Sequence, residues 1–139
     1  MKLRIYWMTS LIKKLSEPKT LLLIGVIYTL LITIVLLLPA SEIPQIRISF
    51  VDKIAHVLIH GFLSFIWLLY RFSSDKYHIS LKNVFVVLFI CFSYGIIIEA
   101  VQHWFILSRS YDVFDIVANE FGSLFGLLSY WIFRNKIIQ

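Results

Sequence analysis

Four apolar runs, at about 21–38, 54–70, 84–107 and 111 or 112–133, set the terms on which this chain can fold. Backbone N–H and C=O groups in a bilayer core must be satisfied within the chain, so a run of this kind is a helix or nothing. At ~1.5 Å per residue, each run crosses a hydrocarbon core of roughly 30 Å, allowing for tilt and local thinning. Composition agrees: 60% of the 139 residues are hydrophobic and 15% are charged. A soluble domain of this length has no core large enough to hide so much apolar surface. The expected fold is all-α, an integral membrane four-helix bundle, with no internal repeat and one domain.

Residues 1–20 read as a leader. Leu3, Trp7, Leu11 and Leu15 recur every fourth position while Lys2, Arg4, Lys13 and Lys14 take other faces. That pattern suits a short amphipathic helix lying on the cytoplasmic leaflet, which Pro18 ends. A basic leader before an apolar run also describes a signal peptide, with 39–41 as its cleavage region. The length of the apolar run favours the alternative, in which residues 21–139 form a four-span domain. Pro39 and Pro44 keep the loop at 39–51 from continuing the first helix, and 71–83 reads as a polar loop.

The formal charge of +5 raises the question of nucleic acid. The basic residues, however, sit between apolar runs and at the termini, where anionic lipid is the cheaper explanation. With the N-terminus inside, ten lysines and arginines fall on the cytoplasmic side and three (Arg47, Lys53, Arg109) on the other. Both termini are therefore expected inside. Cys91, the single cysteine, lies mid-span, which leaves no intramolecular disulfide and points to apolar packing.

The polar residues inside the spans are where function is expected, because charge near a bilayer core is costly unless paired or wet. Asp52, His56 and His60 form one stripe of the second helix, Glu99, Gln102 and His103 share a face of the third, and Asp112, Asp115 and Asn119 share a face of the fourth. On the counted orientation all of them lie near the outer ends of the spans. Glu99 and Asn119 sit on the order of 7–12 Å below the boundary, where they could meet. Each has a plainer reading. Asp112 fits a helix N-cap with Asp115 in the first turn, and Asp52 can cap the second span. Asn119 can hold helices together for about 1 kcal/mol, and Gly122-x-x-x-Gly126 is a close-packing face that could serve a dimer as readily as a monomer. Glu99 calls for a cation or a proton, and Arg109 or Lys53 could supply the cation; a buried Glu99–Arg109 pair holding the bundle is the structural alternative. His78 reads as solvated.

His56-x-x-x-His60 and Glu99-x-x-x-His103 have helical ligand spacing, but neither a His-Glu-x-x-His motif nor a cysteine pair accompanies them, so no metal and no other cofactor is expected. The second and fourth helices both start at the outer face with Lys53 and Arg109 close by, which points to an anion. The acidic neighbours would orient those cations or accept hydrogen bonds from sugar or amide groups.

These residues resemble the VanZ-like membrane proteins. The resemblance rests on Asp52-Lys53-x-x-His56, on Glu99-x-x-Gln102, and on Arg109-x-x-Asp112-x-x-Asp115-x-x-x-Asn119-x-x-Gly122-x-x-x-Gly126, in that order, across about residues 50–130. His60 departs from it, since a tyrosine is usual there. The resemblance implies a bacterial cytoplasmic-membrane protein of a family whose named member is linked to low-level resistance to teicoplanin. Three functions are carried forward. The first is binding of an anionic cell-envelope lipid or lipid-linked headgroup, with Arg109 and Lys53 as contacts, Glu99 and Asp115 orienting them, Gln102 and Asn119 hydrogen-bonding, and Asp52, His56 and Asp112 lining the pocket. The second is a membrane hydrolase or transferase on the same substrates, with Glu99 or Asp115 as base and His56 as acid or base. The third is a scaffold whose polar residues lock four helices. Membrane lipids are the expected partners in each, with self-association open and nucleic acid not expected.

Overall fold

The computed structural model describes residues 14–39, 50–106 and 112–137, the side chains of 135–137 excepted. The amphipathic leader, apart from its last residues, and Arg109 lie outside the described residues, as does most of the 39–51 loop. Four helices appear among the described residues: α1 (Pro18–Leu36), α2 (Val51–Ser74), α3 (Leu81–Phe105) and α4 (Val113–Ile137). Each is long and apolar enough to cross a membrane.

Local chemistry fixes the ends. Pro18 occupies the first turn of α1, where its missing N–H would have had no partner. The Ser80 hydroxyl accepts the Asn83 N–H at 3.2 Å and caps α3. α2 runs farther than the sequence reading allowed and α3 starts earlier, leaving 75–80 as the turn. Arg71 reaches Asp75 at 2.9 Å, and Asn83 reaches the same carboxylate at 2.8 Å. Polar residues that read as loop are thus the last turn of one helix and the first of the next. Lys76 (φ 53°) and Tyr77 (φ 66°) reverse the chain in the left-handed region, which is sparsely populated for side-chain-bearing residues.

The four helices alternate in direction. The Lys53 ammonium touches the start of α4, and the Gln102 amide donates to the Leu36 carbonyl at 2.6 Å. One end of the bundle therefore gathers the starts of α2 and α4 and the finishes of α1 and α3. The 75–80 turn lies at the other end, where the Ser73 hydroxyl donates to the Ser16 carbonyl at 2.6 Å.

α2 and α4 make the closest pair because small residues let their backbones approach. A Cβ on Gly122 would strike the Val57 carbonyl, and one on Gly126 would strike the Gly61 carbonyl and the Ser64 hydroxyl. The Ser64 hydroxyl also donates to the Ser123 carbonyl at 2.9 Å. α1 is peripheral. Its Leu23, Leu30, Leu31 and Ile34 face outward, as expected of a helix that meets lipid, while Thr29 and Thr33 face the bundle. Trp67 donates to Thr29 at 3.2 Å, and the Thr33 and Tyr94 hydroxyls lie 2.9 Å apart. The apolar core of Leu63, Leu68, Phe72, Leu88, Cys91 and Tyr130 fills the half of the bundle nearer the 75–80 turn. The half toward the other end is polar.

Candidate functional site

At the end where α2 and α4 begin, three carboxylates surround one ammonium. Lys53 is 2.6 Å from Asp112, within ion-pair range of Asp115, and 3.5 Å from its neighbour Asp52. Asp112 has a second duty: its Oδ1 accepts the Phe114 N–H at 2.8 Å, closing the first turn of α4. The carboxyl of Asp112 is held below its ordinary value, first by the Lys53 hydrogen bond and then by the Phe114 N–H. Asp52 and Asp115 stand in the first turns of α2 and α4, where the helix dipole favours negative charge. The partial positive charge of both helix starts is thus already met by the protein's own carboxylates.

Below this mouth the constellation turns inward. Exposure falls from 55% at the Asp52 side chain to 2% at His56 and none at His60. His56 is the junction. Its Nδ1 lies 2.9 Å from Asn119 Oδ1 and 3.8 Å from Glu99 Oε1, and its Nε2 lies 3.9 Å from Asp52 Oδ1. Side chains of α2, α3 and α4 therefore converge on one imidazole, with Glu99 and Asn119 both buried against it. An amide oxygen only accepts, so the Asn119 contact puts the proton of a neutral His56 on Nδ1 and leaves a lone pair on Nε2.

One turn deeper, His60 tilts against Tyr94, ring centroids 5.8 Å apart. A Cβ on Gly95 would sit 3.1 Å from both the His60 ring and the Asn119 Cβ, so this mid-helix glycine makes room for two polar side chains. Both His60 ring nitrogens and Asn119 Nδ2 are buried without a hydrogen-bond partner among the described residues.

The residues singled out in the sequence do not all share one place. Asp52, Lys53, His56, Glu99, Asp112, Asp115 and Asn119 gather at the one end. Gln102 is spent on the Leu36 carbonyl, one of the acceptors left open where α1 finishes. His103 is exposed near the end of α3, and Gly122 and Gly126 pack α4 on α2 deeper in the bundle. Among the described residues, the histidine and carboxylate donors that approach one another closely enough to share an ion are those of Asp52, His56 and Asp115, rather than the His56/His60 or Glu99/His103 spacings. Gly95 and Tyr94 were not singled out. A glycine four residues before Glu99 was the available signal for the first.

The VanZ/LLP1 family model matches residues 3–134, nearly the whole chain and every residue of this site. No curated protein and no solved structure matches the chain.

Proposed function

The chain belongs to the VanZ/LLP1 family, and from that premise we propose that this multi-pass membrane protein binds the headgroup of an anionic cell-envelope lipid, or of a lipid-linked cell-wall intermediate, at the polar end of its bundle. The observation that carries this reading is the unsatisfied interior of the constellation. His60 and Asn119 hold polar atoms in the bundle core that the described residues do not pair. Each such group costs about 1–3 kcal/mol, so a network selected only to lock helices would close on itself. A network open to hydroxyl, amide or phosphate groups of a ligand has a reason for being incomplete.

Charge refines the ligand. Lys53 is engaged by Asp112 and Asp115, so a phosphate would share it with them and draw on Arg109 for its main contact. The carboxylates Asp52 and Asp115 suit sugar hydroxyls or an amide. A headgroup carrying both phosphate and sugar satisfies both, and sequestering one would alter sensitivity to a glycopeptide such as teicoplanin, whose target is lipid-linked. On the charge count the site faces outward from a bacterial cytoplasmic membrane.

Native mass spectra of wild type and Arg109→Ala in mild detergent test this. Wild type is expected to retain a phosphate-bearing lipid that the variant loses. Equal retention by both would reject the reading.

A second reading has its own support. His56 stands between Asp52 and Glu99 at 3.9 and 3.8 Å, an arrangement suited to general acid–base chemistry on the same substrate. Catalytic conversion of a lipid by membranes carrying wild type, but not Glu99→Gln, would favour the enzyme over the binder.

A further inference from the structure

We propose that Asp52, His56 and Asp115 form a binding site for one divalent first-row metal ion, of which zinc is the representative. The three side chains each offer one donor atom, and these atoms lie within 4.8 Å of one another. An ion bound at roughly 2.0–2.2 Å needs its donors no more than about 4.4 Å apart, so side-chain rotation that draws the exposed Asp52 inward would complete the set.

Proximity of acids alone would not make a site; the state of His56 adds to it. Its ring is 2% exposed, and its Nδ1 is committed to the Asn119 carbonyl at 2.9 Å. Its Nε2 is the nitrogen on the Asp52 side, 3.9 Å from Asp52 Oδ1. Metal-bound imidazoles are prepared in this way, by an outer partner on the far nitrogen that fixes tautomer and ring orientation. Asn119 comes from a different helix and is no part of the acidic cluster.

Charge supplies a third argument. Among the described residues at the mouth, Asp52, Asp112 and Asp115 carry three negative charges and Lys53 one positive charge. Carboxylates in surplus over the one described ammonium suit a cation at this mouth. Lys53 then competes with the metal for Asp115 and retains Asp112 when the metal is bound. One imidazole nitrogen and two carboxylate oxygens fit zinc or manganese better than the softer ions that prefer thiolate. Three protein ligands leave a position open to water or to an oxygen of a headgroup, as in zinc sites that act on substrates. This inference shares its residues with the lipid reading but does not depend on it.

The test is titration of the full-length, chelator-stripped protein in detergent with zinc chloride alone, read by calorimetry and by native mass. Wild type is expected to take up one equivalent. Asp52→Asn, an isosteric change at an exposed position, should weaken binding by about 10-fold or more, and His56→Gln should weaken it further. Lys53→Gln should tighten it by removing the competing ammonium. Asp75→Asn, paired with Arg71 at the opposite end, should leave it unchanged. No uptake by wild type, or uptake equal in Asp52→Asn and His56→Gln, overturns the proposal, as does weaker uptake by Lys53→Gln. Retained lipid weighed on the same samples keeps the two readings apart: zinc bound with lipid absent fails the lipid reading, and lipid bound with zinc absent fails this one.

Discussion

Lys53 shows how a residue's partners decide its chemistry. At the start of α2 it would be a cation offered to an anion, but Asp112 and Asp115 of α4 reach it first. The pair is partly wet, with the Asp112 side chain 35% exposed, so its worth is that of a surface ion pair rather than a buried one. Asp112→Asn keeps the oxygen that caps α4 and removes the charge that meets Lys53. It is expected to destabilise the protein by about 0.2–1 kcal/mol at neutral pH. The pH dependence has a definite sign. A carboxyl held below its ordinary value of 3.8 stabilises the fold fully above that value and loses the contribution as pH falls toward the lowered native one. Thermal unfolding in detergent should therefore separate wild type from the variant near pH 7 and bring them together in acid. A gap that widens on acidification would contradict the assignment. Gln102 gives a second residue-scale expectation: Gln102→Ala strips the Leu36 carbonyl of its donor and should cost about 1 kcal/mol in the same assay, because interhelical hydrogen bonds in membranes are individually modest.

At the level of helices, what the sequence makes plain is which residues share a face, and what it leaves open is which faces meet. The spans announce themselves through apolar runs, yet 71–74 and 81–83 read as loop because Arg71, Ser73 and Asn83 are polar. They are helical because Arg71 finds Asp75 and Ser80 caps the next helix, and partners at a turn do not alter hydropathy. Asp52 and His56 on one helix, Glu99 on another and Asn119 on a third could be placed on stripes from spacing alone. That Lys53 meets α4 and not Glu99, and that Gly95 leaves room for His60, depend on how two helices are offset, which no single stripe encodes. The glycines of α4 test that offset. Gly126→Ala would press a methyl onto the Gly61 carbonyl, backbone that cannot step aside, and should cost about 1–3 kcal/mol as an overpacked core does. Gly25→Ala on peripheral α1 meets the Trp67 ring at 3.4 Å, an ordinary contact, and should stay within about 0.5 kcal/mol of wild type. Similar losses in both would mean that the α2–α4 contact is looser than described.

For the molecule as a whole, the question that governs function is which side of the membrane the polar end faces. The bundle is asymmetric: apolar packing closes the half near the 75–80 turn, and charged groups open the other. Basic residues at the helix ends favour the 75–80 turn inside, because Arg71, Lys76 and Lys82 lie in or beside it. Cys91 makes a direct experiment possible, since the only native thiol is buried in the core and should stay silent toward a bulky, membrane-impermeant maleimide. Single cysteines at Asp52, exposed at the polar end, and at Lys76, in the turn, then report the two sides separately. In intact cells the reagent is expected to label Asp52→Cys and to spare Lys76→Cys until the membrane is permeabilised. The reverse pattern would turn the site toward the cytoplasm, where a cell-wall intermediate is offered before it crosses the membrane and not after. Headgroup binding would survive that result, but its link to an antibiotic acting from outside would not.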